Sequence, residues 1–87
     1  MELNEAIQSF NKLLSKHGVK GLKLSDVRTA SSARTVLSKF GGMGSINDIY
    51  ICTANGHNIK PEQEAAANAE LHELLECIYQ HCKDRSK

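Results

Sequence analysis

Ala67, Leu71, Leu74, Leu75, Ile78 and Cys82 recur at helical spacing along one side of the last third of the chain, with Glu62, Glu70, Glu73 and Glu76 opposite. A period near 3.6 sustained for about six turns demands a long amphipathic helix that buries one side and wets the other. Pro61 suits its first position, and Glu62 and Glu64 favour the positive end of its dipole. The spacing predicts a helix over 61–82, with a basic end, Lys83 to Lys87, that complements the dipole and then frays. Everything upstream must cover its apolar side.

Two further helices are expected upstream. Leu3, Ala6, Ile7, Phe10, Leu13, Leu14 and His17 share a face, Asn4 suits the cap and Gly18 suits the left-handed residue past the end, so a helix is predicted over 5–17. After the connector Val19–Leu24, Ser25 reads as an N-cap and Asp26 as a first-turn acid. Ala30, Ala33, Val36, Leu37 and Phe40 then line a second helix over 26–40.

The run Phe40-Gly41-Gly42-Met43-Gly44-Ser45-Ile46-Asn47-Asp48 holds three of the six glycines and marks a shaped backbone. Ile49-Tyr50-Ile51-Cys52 is rich in strand formers, Asn55-Gly56 is a strong hairpin signal, and Asn58-Ile59-Lys60 can return. The reading favoured here is a short β-hairpin after the glycine-rich loop; a helical turn begun at Ser45, with Ser45-x-x-Asp48 as a loose capping box, competes with it. The expected fold is therefore mainly α (α+β): two N-terminal helices, a small hairpin and one long C-terminal helix, in a single small domain over 1–87.

Charge and cysteine usage narrow the function classes. Residues 1–40 hold seven bases against three acids, and residues 41–87 four bases against seven acids, so the net charge of +1 conceals two halves of opposite sign. Three cysteines, none in a Cys-x-x-Cys pair, point to reduced thiols and a cytoplasmic setting. No apolar run is long enough to span a bilayer, and the first residues show neither the basic start nor the apolar stretch of a secretory signal, so neither a membrane nor an export role is expected.

Four chemistries compete on the residues. A phosphate loop at Gly41–Ser45 lacks the lysine before the hydroxyl and the leading strand. Cys77 and His81 share a helix face, and Cys52 and His57 flank the proposed turn, yet this is not the paired spacing of a structural zinc site; no metal or other cofactor is expected. Asp48 and His57 with the glycine-rich loop form the alternative, a small enzyme or ligand-binding protein, although no nucleophile elbow or carboxylate pair accompanies them. Nucleic-acid binding through Arg28 and Lys39 is opposed by the glutamate row and by few aromatics.

Protein binding without catalysis remains. A rigid row of carboxylates speeds encounter with a basic surface and sets register. The candidate contacts are Asp48, Glu62, Glu70, Glu73 and Glu76, with Asn47 and Ser45 shaping the loop and Tyr50 and Tyr79 available as anchors.

The run from Phe40 to Asp48, with Asn68, Leu71, Leu74 and Tyr79 on the last helix, resembles the central motif of a small, largely uncharacterised bacterial family, over about residues 36–82. The resemblance implies a bacterial cytoplasmic protein and brings no catalytic role or cofactor. Chains of this kind are similar in size and type to immunity proteins of contact-dependent inhibition and polymorphic toxin systems. That analogy implies a cognate toxin domain as partner, a nuclease for example, whose basic active site the carboxylates would occlude.

Overall fold

The computed structural model describes residues 2–19, 23–40 and 49–86. Helix α1 spans Leu3–Lys16, α2 Ala30–Leu37 and α3 Glu64–Arg85, with single 3-10 turns at Thr53–Asn55 and Pro61–Gln63. The protein is mainly helical, and the described residues contain no strand. Both α1 and α2 pack on α3. The α1 side of the core is Leu3, Ala6, Ile7, Phe10, Leu13 and Leu14; α3 supplies Ala67, Leu71, Leu74, Leu75, Ile78 and Cys82. Helix α2 adds Ala33 and Val36, small enough to bring its backbone close. It runs antiparallel to α3, because Arg34 Nη1 donates to Ser86 O at 3.3 Å while Phe40 meets Tyr79.

Local chemistry sets the ends of α1. His17 closes the helix, Gly18 takes φ +71°, the Val19 N–H reaches Leu14 O at 2.9 Å and the Gly18 N–H reaches Ser15 O at 3.2 Å. These two bonds satisfy the last orphan carbonyls in the pattern that a left-handed glycine permits. Asn4 is not the cap. It lies inside α1, where Nδ2 donates to Val27 O at 3.1 Å and Oδ1 accepts from the Val27 N–H at 2.8 Å. Asn11, two turns on and so on the same face, treats Leu24 in the same way at 2.8 and 2.9 Å.

Those two amides explain why the second helix starts later than its pattern suggests. A helix from Asp26 would need the Val27 carbonyl for its own ladder, but Asn4 holds it. Leu24 and Val27 are instead buried as anchors of a non-helical segment. The true cap is Thr29: its Oγ1 accepts from the Ser32 N–H at 3.1 Å, and Ser32 Oγ accepts from the Thr29 N–H at 2.9 Å. This reciprocal box satisfies two backbone donors at once.

The expected hairpin is absent from residues 49–60, and the reason is that their backbone finds better partners. Ile51 gives its N–H to Asn68 Oδ1 and its carbonyl accepts from Asn68 Nδ2, both at 2.8 Å. The Asn58 N–H goes to His17 O at 2.8 Å, and Asn58 O lies 2.9 Å from His17 Nδ1. Between them the chain makes a 3-10 turn, not a two-residue hairpin turn. Of Asn55 and Gly56 only the glycine has positive φ, +77°, whereas a type I′ turn needs both. The Thr53 N–H donates to Glu64 Oε1 at 2.9 Å, so Glu64 stabilises this turn from the first turn of α3. The 3-10 turn at Pro61–Gln63 leads into α3, which starts at Glu64 and continues to Arg85. The glycine-rich run 41–48, and with it the alternative of a turn at Ser45, lies outside the described residues.

Cys82 is fully buried where α3 meets the core, and burial pushes its thiol above the ordinary 9.0 against the smaller opposing effect of the Arg85 charge. A raised value means the folded chain keeps this proton longer than the unfolded chain does. The contribution is therefore complete below pH 9 and is lost as pH rises through the folded value. Cys82→Ala should cost about 1 kcal/mol at pH 7. That gap to wild type should shrink above pH 9 in urea melts, and a gap constant from pH 7 to pH 10 would refute the assignment.

Candidate functional site

The outer side of α3 carries a row of acidic side chains. Glu70, Glu73 and Glu76 are all exposed on it, and Glu62 is exposed in the turn just before it. None of their four side chains has an ion pair or hydrogen bond among the described residues, where an ion pair joins Arg28 to Asp26 at 3.9 Å. Sequence spacing explains this isolation. Each of Glu70, Glu73 and Glu76 lacks a lysine or arginine three or four positions away. They are instead each other's i,i+3 neighbours, a like-charge arrangement that costs a helix about 0.2–0.5 kcal/mol per pair. Glu64 differs: its carboxylate is committed to Thr53.

Alongside this row an open groove of about 660 Å³ lies between the end of α2 and α3. Leu37, Phe40 and Leu75 form its apolar part, and His72, Glu76, Tyr79 and Lys83 border it. Tyr79 is 38% exposed, and its ring meets Phe40 edge-to-face at 5.2 Å. Such a contact holds an aromatic ring in one orientation while leaving much of it wet. Tyr50, 51% exposed, lies apart from this groove and supports the loop through its carbonyl, which accepts from Asn55 Nδ2 at 3.0 Å.

Of the residues singled out by sequence, the structure therefore brings Glu70, Glu73 and Glu76 onto one rigid helix, with Glu62 at its entrance. Ser45, Asn47 and Asp48 lie outside the described residues. His57, the other member of the alternative site, is committed to its own turn: Nδ1 accepts from the Cys52 N–H at 3.2 Å. His81 Nδ1 lies 3.2 Å from Arg85 Nη1, which can only donate, so that nitrogen also serves as an acceptor. Cys52, His57, Cys77 and His81 are not drawn together; no group of three or more metal-binding side chains forms among the described residues.

Asn4, Asn11 and Asn68 are the residues whose roles sequence reading missed. The available signal was an amide placed at the border of an apolar helix face, seven residues apart in the case of Asn4 and Asn11. An amide carries one acceptor and two donors, so it copies the hydrogen-bonding edge of a peptide and can hold a passing backbone segment. These three residues position the loops, whereas the outer face of α3 stays exposed. No helix of the described residues is long and apolar enough to cross a membrane.

No curated protein and no solved structure matches the chain. A family model does, over residues 9–60, a span that includes most of α1, all of α2 and the glycine-rich run. The chain belongs to that family, which is described as a domain of unknown function, DUF6966.

Proposed function

We propose that this protein acts by binding another protein through the solvent side of α3, without catalysis. The observation that carries the reading is the uncompensated row Glu70, Glu73 and Glu76, which weakens its own helix slightly and has no intramolecular use among the described residues. A basic partner surface would relieve that repulsion on docking, and a helix already packed on α1 and α2 loses little freedom when it binds. In its narrower form the proposal is an immunity protein of a toxin system. The carboxylates, with Glu62 at the edge, would pair with the lysines and arginines that a toxin uses for substrate or catalysis, and so occlude its site. The partner-facing roles proposed for Ser45, Asn47 and Asp48 rest on sequence alone. The setting that suits this reading is a bacterial cytoplasm.

The test is capture of a partner by the tagged protein from its native source, followed by titration with the Glu70→Lys and Glu73→Lys variants. Each reversal should weaken binding about tenfold and reduce its salt dependence. For the narrower form, co-expression with a toxin encoded beside the gene should restore growth, and the double reversal should abolish that protection. Equal affinity of wild type and double variant would remove α3 from the interface; failure to recover any protein partner would end the reading.

A further inference from the structure

The groove between α2 and α3 has a property that a uniformly basic partner would not match. Along its α3 edge stand Glu76 and Lys83, both exposed and both without an ion pair among the described residues. They are seven residues apart, so they share one face about 10.5 Å apart along the axis. Tyr79 lies between them, partly exposed and held by Phe40. A partner carrying only positive charge would be drawn to Glu76 and repelled at Lys83.

We propose that the occupant of this groove is a second copy of the chain, with the two α3 helices antiparallel about a two-fold axis beside Tyr79. A two-fold axis presents the same patch twice, so each residue must be complementary to the position equally far on the other side of the axis. Midway between positions 76 and 83 is the one place where an axis sets Glu76 of each copy against Lys83 of the other. Two ion pairs then form across the interface where neither forms within a chain. The Tyr79 rings meet near the axis, and Leu37 and Leu75 lie beneath them as the apolar floor. By the helical period Glu73 and then Glu70 lie progressively further round the helix from the groove, so the dimer takes only Glu76 from the proposed partner face. The stripe from Glu76 to Lys83 is short, which places the contact at the small, weak end of interfaces and makes it sensitive to salt.

Purified protein alone tests this, so the result is independent of partner capture. Sedimentation equilibrium from about 10 μM to about 1 mM should show a reversible monomer–dimer equilibrium that weakens as salt is raised. Glu76→Lys and Lys83→Glu should each move the transition to at least about tenfold higher concentration, with unchanged helical circular dichroism. An equimolar mixture of the two variants should dimerise again. In the mixed pair the introduced lysine of one chain faces the introduced glutamate of the other, and at the opposite end the native Lys83 and Glu76 still meet. A wild type that stays monomeric up to about 1 mM would overturn the proposal. So would single variants that dimerise like wild type, or a mixture no better than its components.

Discussion

Asn68→Ala should lower stability by about 3 kcal/mol, because it strips partners from a buried backbone segment. Asn68 is 5% exposed and makes three bonds at 2.8 Å: it accepts from the Ile51 N–H, and it donates to Ile51 O and to Glu64 O. Alanine leaves the Ile51 N–H and C=O without a replacement in a site that water cannot readily enter, since Ile51 is fully buried. Asn68→Asp is the informative companion. It keeps the acceptor for Ile51 N–H but turns an anionic oxygen toward two carbonyls, so it should cost at least as much as alanine at neutral pH. Urea melts give the free energies. Hydrogen exchange adds a readout of place: in both variants residues 49–60 should lose protection first, while the α1 and α3 amides stay slow. A loss under about 1 kcal/mol, or exchange that rises uniformly, would show that Asn68 does not hold this segment.

The other large effect is in the core. Phe10→Ala should cost about 3–5 kcal/mol, the range for truncating a fully buried aromatic ring. Phe10 is completely buried on the side of α1 that faces α3, among the largest side chains of the cluster. For a chain of this length total stability is about 4–13 kcal/mol, so the variant should sit near the edge of folding, with Tm lower by about 15–30 °C. Phe10→Leu, which refills most of the volume, should recover more than half of the loss. The folded fraction of Phe10→Ala should keep the exposed face of α3 unchanged, because the truncation is on the buried side of that helix. A Tm shift of only a few degrees would mean that the α1 and α3 faces do not depend on this ring for their packing.

These two cases differ in how far they could be foreseen. Phe10 falls in an apolar period with Ile7, Leu13 and Leu14, and its burial follows from the spacing alone. Gly18 likewise announces the left-handed end of α1 that the structure contains. Asn68 gives no comparable signal of its task, since a lone amide on a helix is more often a wet side chain. The hairpin expectation failed at the same point. Ile49–Cys52 and Asn58–Lys60 have the composition of paired strands, but strand formers need only a partner for their N–H and C=O groups, and here Asn68 and His17 provide it. Ser25 lost to Thr29 as the cap of α2 because Asn4 and Asn11, far upstream, had already engaged the segment between.

For the candidate site the division runs the same way. That Glu70, Glu73 and Glu76 share the wet side of a helix was readable from their spacing, and so was their lack of a basic residue within a turn. The groove was not, because it depends on where the end of α2 comes to rest against Leu75 and Tyr79. Periodicity is a property of neighbours along one helix, and the chain alone determined the helical character, the buried faces of α1 and α3 and the acidic row. Which side-chain amides would capture which loops, and where α2 would lie, are matters of groups many residues apart meeting in space. Only the tertiary structure could decide those, because a backbone N–H or C=O takes whichever partner the packed helices bring within reach.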